Sequence, residues 1–182
     1  MSLSHVLLTS LLEKPSSGYD LARRFDKSMG FFWNATHQQI YRELKRMENQ
    51  GWINSQPAKD AGKTKKKTYH VLETGKAELK RWAGQQTDPY IIREELAVRL
   101  RAEAILGSNV LQAELQRHLQ LHEEKLALYL SIEQRDFIKQ QPLSREQKIQ
   151  HQVLILGIQT QKTLIDWVKD TIALFDELEK TE

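Results

Sequence analysis

The sequence predicts a mainly α-helical protein with one small β-hairpin, divided into two domains. Apolar residues recur at helical spacing along most of the 182 residues, and only residues 52–72 change to the alternation typical of strands. Residues 1–86 hold 15 Lys and Arg against 8 Asp and Glu, whereas residues 87–182 hold 12 against 16. A basic domain over 1–86 followed by an acidic domain over 87–182 indicates that the first domain has a polyanionic partner.

Composition excludes several classes of protein. The chain has no cysteine, which excludes disulfides and thiolate metal sites. No apolar run approaches the ~18 residues of a membrane span and no signal-peptide pattern opens the chain, so we expect a cytoplasmic protein without membrane contact. Glycine-rich phosphate loops, nucleophile elbows and zinc-protease motifs are also missing. We therefore expect neither an enzyme nor a cofactor.

Three helices are predicted in the first 50 residues. Residues 3–12 and 18–28 form the first two, separated by a break that contains Pro15 and Gly18, with Ser17 as a cap. The third runs over about 36–50. Thr36 and Gln39 form a capping-box pattern at its start, and Gly51 suits its end. Ile40, Leu44 and Met47 form its apolar stripe.

The other face of the third helix carries amides and cations but no acid. Gln38, Arg42, Lys45, Arg46 and Asn49 lie away from the apolar stripe. Arg and Gln can contact guanine and adenine edges in a bidentate manner, and the neighbouring cations can hold phosphates. A solvated outer face of a core helix would show the same pattern, so this helix alone leaves both interpretations open.

A basic hairpin follows the third helix and favours nucleic-acid binding. The strands are predicted over 52–58 and 67–72, and the segment between them has Gly62 for its turn. That segment and the start of the second strand hold Lys63, Lys65, Lys66 and Lys67. Three helices and such a hairpin make a winged helix-turn-helix, with helix 36–50 in the major groove and wing 53–72 on the backbone or in the minor groove.

Long antiparallel helices are predicted for the rest of the chain. A fourth helix capped by Thr74 ends at a linker over 83–90. Helices over 90–106, 109–140 and 146–178 follow, with Gly107 ending the first of these and Ser108 and Ser144 capping the next two.

Two apolar stripes run along the last helix, although its hairpin partner can cover only one. The first is Ile149, Val153, Leu156, Leu164, Trp167, Thr171, Leu174 and Leu178. The second contains Leu154 and the predicted dimerisation residues Ile158, Ile165, Val168, Ile172 and Phe175. We expect the second stripe to face another copy of the chain, since symmetric dimers are the commonest oligomers. The alternative is a monomer in which residues 91–106 cover that stripe.

Together these segments resemble the PadR family of bacterial winged-helix regulators. The resemblance rests on Ser-Gly-Tyr-Asp at 17–20, Phe-Trp-Asn-Ala-Thr-His-Gln-Gln-Ile-Tyr-Arg-Glu-Leu at 32–44, Gln-Gly-Trp-Ile at 50–53, Tyr69, and Thr-Gly at 74–75. The acidic half, from Arg-Glu-Glu-Leu at 93–96 through Trp167, is similar to the virulence-activator subgroup, which has an extended helical arm.

The resemblance implies a homodimeric, sequence-specific regulator of transcription that binds a near-palindromic operator. It adds His37, Gln39 and Tyr41 to the DNA-binding set and assigns Lys65 to Lys67 to the wing. Some members are released from DNA by phenolic acids, so Arg93 and His151 are candidate residues for binding such an effector. Members of the virulence-activator type act with a second transcription regulator.

Two alternatives stand beside this prediction. A winged-helix domain can bind protein instead of DNA, which would make the chain a helical interaction adaptor. His118 and His122 are four residues apart on one helix and could share a metal, but no second cluster at ligand spacing accompanies them, so no metal site is expected.

Overall fold

The computed structural model describes residues 3–26, 33, 35–57, 67–89, 94–108 and 110–180. The chain forms two compact units, Met1–Tyr90 and Ile91–Glu182. The architecture is mainly helical with a small antiparallel sheet, which confirms the predicted fold class. Within the described part of the chain, no helix has the length and apolar character needed to cross a membrane.

The first unit combines helices with a three-stranded antiparallel sheet. Its helices are α1 (Leu3–Glu13), α2 (Gly18–Asp26), α3 (His37–Asn49) and α4 (Glu73–Ala83). Its strands are β1 (Ser16–Ser17), β2 (Ile53–Pro57) and β3 (Lys67–Val71), in the order β1-β3-β2. The hairpin of β2 and β3 was predicted, with strands slightly shorter than expected.

Strand β1 was not predicted, because residues 14–18 showed only the signals of a helix break. Its two residues pair with the central strand, with Ser16 opposite Tyr69. Ser17 also caps α2: its Oγ accepts the Asp20 backbone N–H at 3.1 Å and donates to the Asp20 carboxylate at 2.7 Å. The predicted cap is therefore confirmed, and the same residue anchors α2 to the sheet.

One apolar core holds the helices of this unit together. Its members come from α1, α2, α3 and β2, and each is at most 1% exposed. They are Leu7, Leu8, Leu11, Leu21, Ala22, Phe25, Ile40, Leu44, Met47 and Ile53. Burying a large aliphatic or aromatic side chain contributes about 1.5–3 kcal/mol, so this cluster fixes how the helices pack.

Three elements meet at the turn after α3. Gly51 adopts the left-handed conformation, with φ of 68°, and Trp52 N–H donates to Met47 O at 3.0 Å. Trp52 O then accepts the Leu72 N–H at 2.9 Å. Thr74 was expected to cap α4, but the cap is Leu72, and the Thr74 hydroxyl donates to Gly51 O instead. Neighbouring residues could not reveal this bond, because Gly51 lies 23 residues before Thr74 in the sequence.

A histidine–carboxylate pair joins α1 to α4. His5 Nε2 lies 3.0 Å from Glu78 Oε1, and the His5 ring stacks on Trp82 with centroids 4.7 Å apart. Hydrogen bonds from Arg81 and then His5 lower the pKa of Glu78 from its ordinary 4.5 to about 2. Since folding lowers this pKa, the carboxylate stabilises the fold above pH 4.5, and this stabilisation is lost as the pH falls towards 2.

The second unit is an antiparallel helical assembly. It contains α5 (Glu95–Leu106), α6 (Gln112–Glu133), which continues into a π-helical turn (Gln134–Ile138), and α7 (Arg145–Glu179). Gly107 ends α5 in the left-handed conformation, as predicted. Ser144 and Gln147 form the capping box of α7, and this predicted cap is also confirmed.

The start of α6 differs from the prediction. The helix begins at Gln112 and its N-cap is Leu111, which provides no side-chain cap. Ser108, expected to cap it, bonds to Glu103 instead, with its N–H 2.6 Å from Glu103 Oε1. The buried Glu103 carboxylate, close to the end of α5, also accepts a hydrogen bond from the Ser108 hydroxyl. Ser108 therefore bonds to the preceding helix and does not cap α6.

The stripe of α7 that was predicted to face a second chain is covered within one chain. Ile158, Ile165, Val168, Ile172 and Phe175, expected to face a second chain, are all at most 9% exposed within one chain. Val168, Ile172 and Phe175 join Leu96, Leu111 and Leu115 in one core. The other stripe, called the outward stripe below, is exposed towards both ends of the helix. Ile149, Val153, Leu156, Leu174 and Leu178 are each at least 47% exposed, whereas Leu164 and Trp167 are partly buried and Thr171 is buried.

Gly157 explains which stripe faces α6. A Cβ at this position would lie 2.9 Å from the Tyr129 ring, so the absence of a side chain lets α6 and α7 approach closely there. Gln161, one turn on, meets His122 of α6 at 2.8 Å. Both residues flank the second stripe, and a glycine within a long helix was the signal in the sequence for this contact.

Gly75→Ala should destabilise the first unit by about 2 kcal/mol. A Cβ at Gly75 would lie 2.3 Å from the Trp52 carbonyl oxygen, and backbone cannot move aside easily. The control is Gly84→Ala at the end of the same helix, where the nearest atoms are 3.7 Å away, and we expect a change within about 0.5 kcal/mol. Urea unfolding measures both variants; equal effects would contradict the packing argument.

Candidate nucleic-acid interface

Helix α3 is held by one face and open on the other. Ile40, Leu44 and Met47 are 0% exposed in the core, and the helix contacts α1, α2 and β2. Because the three buried residues form a single stripe, the side chains opposite them must point away from the core. The exposed residues include His37, Gln38, Gln39, Arg42 and Lys45.

The predicted capping box fixes the first turn of α3. Thr36 Oγ1 accepts the Gln39 N–H at 3.2 Å, and the Thr36 N–H donates to Gln39 Oε1 at 2.8 Å. No acid lies in this turn. The helix dipole and the remaining N–H groups therefore favour an anion such as a phosphate at this end.

The cap also restricts what Gln39 can do. A bidentate contact with adenine requires the amide oxygen as acceptor and the amide nitrogen as donor. Gln39 Oε1 already accepts from the N–H and the hydroxyl of Thr36. In this conformation Gln39 has its NH₂ group for further donation, so its predicted role as a base reader is narrowed to that of a donor.

A shallow concavity of about 500 Å³ lies along the exposed face of α3. It is lined by Gln38, Gln39, Tyr41, Arg42 and Lys45. Among the described residues, Gln38, Arg42 and Lys45 have no hydrogen-bond or ion-pair partner. Their donors are directed to solvent and available to a ligand, as the polar face of this helix predicts.

Tyr41 is positioned by the start of α2. A Cβ at Gly18 would lie 2.5 Å from Tyr41 Cε1, so the ring packs directly on the glycine backbone. The ring remains 46% exposed. A side chain at Gly18 would displace the ring, which explains why a glycine is needed at this close approach.

Arg46 differs from the other cations of α3 because its guanidinium already has partners. Its Nε donates to Glu43 Oε2 at 3.0 Å, and one terminal nitrogen lies 2.5 Å from Ser4 Oγ of α1. The hydrogen bond from Arg46 is the main reason why the pKa of Glu43 lies below its ordinary value. The sequence predicts a phosphate contact for Arg46 and gives no sign of this network.

The wing is described only at its base. Lys67 is exposed at the start of β3 and pairs with Pro57 of β2. The other predicted wing cations, Lys63, Lys65 and Lys66, lie outside the described residues. His37 occupies the first position of α3 and is exposed.

The candidate effector and metal residues of the second unit are engaged in pairs. His151 Nε2 lies 2.8 Å from Glu133 Oε1, and its ring stacks on Phe137 at 4.7 Å; Arg93 lies outside the described residues. His118 meets Glu114 at 3.3 Å. Among the described residues, no three His, Cys, Asp or Glu are grouped to hold a metal. The effector assignment stays a prediction.

Comparison with known proteins decides the family. Residues 7–81 match the transcriptional regulator PadR-like family, and residues 92–176 match the virulence activator alpha C-term family. A probable transcriptional regulator of Mycobacterium tuberculosis is 35% identical over 97% of this chain and 99% of its own. The chain belongs to the PadR-like family of transcriptional regulators. This regulator is accordingly not an enzyme, and the resemblance drawn from its sequence is confirmed.

Solved structures agree with this membership. The Bacillus subtilis PadR structure in complex with operator DNA has a TM-score of 0.83 at 25% identity, covering 94% of this PadR-like chain and 97% of its own. The Vibrio cholerae virulence activator AphA has a TM-score of 0.79 at 26% identity, covering 97% and 99%. Both coverages show that the fold is shared along nearly the whole chain.

Thr36→Ala should lower the free energy of unfolding of the first unit by about 1 kcal/mol, because it removes the side-chain acceptor of the capping box. Thr36→Ser keeps that acceptor and is the matched control. Denaturant unfolding gives the stabilities, and amide hydrogen exchange should show faster exchange at Gln39 in the alanine variant alone. Equal stability of the two variants would mean that the cap contributes nothing.

Proposed function

We propose that this PadR-family regulator is a homodimer that binds DNA sequence-specifically, with α3 in the major groove. The observation that carries the proposal is the exposed face of α3, where Gln38, Arg42 and Lys45 lack partners among the described residues. A folded helix that directs unpaired amides and cations to solvent, beside a hairpin wing, matches the major-groove mode of recognition.

The residues divide by the chemistry that each can perform. Arg42 can donate two bonds to guanine, and Gln38 can pair with adenine, so these two would specify bases. Gln39 would contact bases only through its NH₂ group, as a donor. His37, Tyr41, Lys45 and Lys67 would contact phosphates, which position the helix without reading sequence. The wing lysines Lys63, Lys65 and Lys66 would extend this contact along the backbone.

Dimerisation would use the outward stripe of α7. Five of its members are exposed although large and apolar, namely Ile149, Val153, Leu156, Leu174 and Leu178, and a second copy is the occupant with a matching surface. The charges support an antiparallel pairing. Residues 145–162 carry 3 Lys or Arg and 1 Glu, whereas residues 163–179 carry 1 Lys and 5 Asp or Glu. Antiparallel copies place the basic end of one helix beside the acidic end of the other.

A two-fold dimer accounts for the expected operator. Two copies of α3 related by a two-fold axis would contact two half-sites about 34 Å apart, one helical turn of DNA. The operator would then be a near-palindrome, because each half-site meets the same residues in the same order.

Selection of bound genomic fragments, followed by gel shifts at 50 and 200 mM salt, tests the proposal. We expect a recovered near-palindrome and an affinity that falls steeply with salt, as phosphate contacts require. Loss of binding at both salt concentrations would contradict DNA recognition and would favour the protein-interaction adaptor.

Arg42→Ala should lower the preference for the operator over random DNA by about 1–3 kcal/mol, because the bidentate base contact is lost. Lys67→Ala should weaken binding to both DNAs similarly and reduce the salt slope by about 1, since a phosphate contact carries no sequence information. Fluorescence anisotropy with operator and scrambled duplexes measures both variants. An unchanged operator-to-random ratio in Arg42→Ala would remove Arg42 from base recognition.

Leu156→Glu should dissociate the dimer. Leu156 is 61% exposed in the outward stripe. In a two-fold dimer the substitution removes this leucine from the interface in both copies. Losing about 1.5 kcal/mol at each copy weakens the dimer about 100-fold. Leu121→Glu, at an exposed leucine of α6, is the matched control. Sedimentation equilibrium should show monomer for the first variant and dimer for the second; a dimeric Leu156→Glu protein would place the interface elsewhere.

A further inference from the structure

Glu43 is an acid on the helix proposed to enter the DNA groove. It follows Arg42 directly and lies three residues before Arg46. A carboxylate near a DNA backbone is repelled by the phosphates, so its presence calls for a physical explanation. Its side chain is only 15% exposed, which means that it is directed partly inwards, towards α1.

The carboxylate is the centre of a closed network of three side chains. Ser4, fully buried in α1, donates from Oγ to Glu43 Oε1 at 2.5 Å. Arg46 donates from Nε to both Glu43 oxygens at 3.0 Å and from a terminal nitrogen to Ser4 Oγ at 2.5 Å. The network therefore binds two positions of α3 to each other and to α1.

Arg46 contrasts with the other two cations of α3. Arg42 and Lys45 have no hydrogen-bond or ion-pair partner among the described residues, whereas the Arg46 charge is matched by Glu43. To bind a phosphate, Arg46 would have to give up contacts to Glu43 and Ser4. That exchange leaves a part-buried carboxylate without its partner next to DNA, which is unfavourable.

We propose that Glu43 is a positioning residue that withholds Arg46 from the DNA backbone and so limits binding to random sequence. This inference rests on the proposed DNA-binding function and deepens it. Arg42 and Lys45 remain for DNA, while the Glu43–Arg46 pair contributes no net charge. Non-specific affinity depends on the number of phosphates neutralised, so one cation fewer raises the relative value of base contacts.

Glu43→Gln is the direct test. The amide loses the ion pair and releases Arg46, which can then reach a phosphate. We expect the slope of log K against log salt to steepen by about 0.9 and random DNA to gain more affinity than the operator, so that the specificity ratio falls severalfold. Glu48→Gln is the matched control, since it removes the same charge from the same helix and no Arg or Ser among the described residues pairs with the Glu48 side chain.

The double variant Glu43→Gln/Arg46→Gln separates positioning from a direct phosphate contact. It removes both charges, so the inference predicts the salt slope of the wild-type protein. If the double variant instead loses about 0.9 of slope, Arg46 contacts a phosphate in the native complex and the inference is overturned. Should Glu43→Gln unfold, judged by circular dichroism, the double variant decides alone.

The outcomes also distinguish this inference from the function on which it depends. Wild-type protein that binds no DNA at either salt concentration defeats both. If the wild-type protein binds a selected operator, and Glu43→Gln has the same salt slope and the same operator-to-random ratio, only the proposed role of Glu43 is contradicted.

Discussion

The burial of a single apolar stripe on α3 is the constraint on which the first unit depends. Ile40, Leu44 and Met47 are completely enclosed, so the helix can neither rotate about its axis nor slide along α1 without exposing them. This fixes which residues face solvent, and the polar face follows from it. The core that surrounds the stripe draws on three helices and β2, and so the orientation of α3 is a property of the whole unit.

Local signals in the sequence predicted local structure well. The caps at Ser17, Thr36 and Ser144 and the left-handed end of α5 at Gly107 depend on residues within four positions of one another, and all were confirmed. Contacts between distant residues were missed. Strand β1 exists because Ser16 and Ser17 pair with residues about 50 positions away, and two consecutive serines give no sign of that pairing.

The two stripes of α7 illustrate a different limit. Both are apolar at helical spacing, so periodicity alone cannot decide which of them a neighbouring helix covers. The deciding residues were small or polar, Gly157 and Gln161, which lie beside the buried stripe and meet α6. The small and polar residues that interrupt the apolar pattern therefore indicate which stripe faces α6.

For the candidate interface, the sequence predicted which side chains are polar and exposed but not which of them are already engaged. Gln39 and Arg46 matched Gln38 and Arg42 in residue type, yet the former two are committed to Thr36 and to Glu43 with Ser4. Such commitments depend on side-chain conformations and on α1, which lies about 40 residues earlier in the chain. Residue type therefore gave the candidates, and geometry separated those that are available from those that are not.

The turn at Gly51 and Trp52 fixes the position of α3 relative to the hairpin. It joins the end of α3 to β2 without slack, and hydrogen bonds from Leu72 and Thr74 fasten the same two residues to the far side of the hairpin and to α4. The end of α3, the start of β2 and the start of α4 are therefore held together by backbone and side-chain hydrogen bonds. In the proposed complex with DNA, this turn would set the distance along the duplex between the bases that α3 contacts and the phosphates that Lys67 contacts.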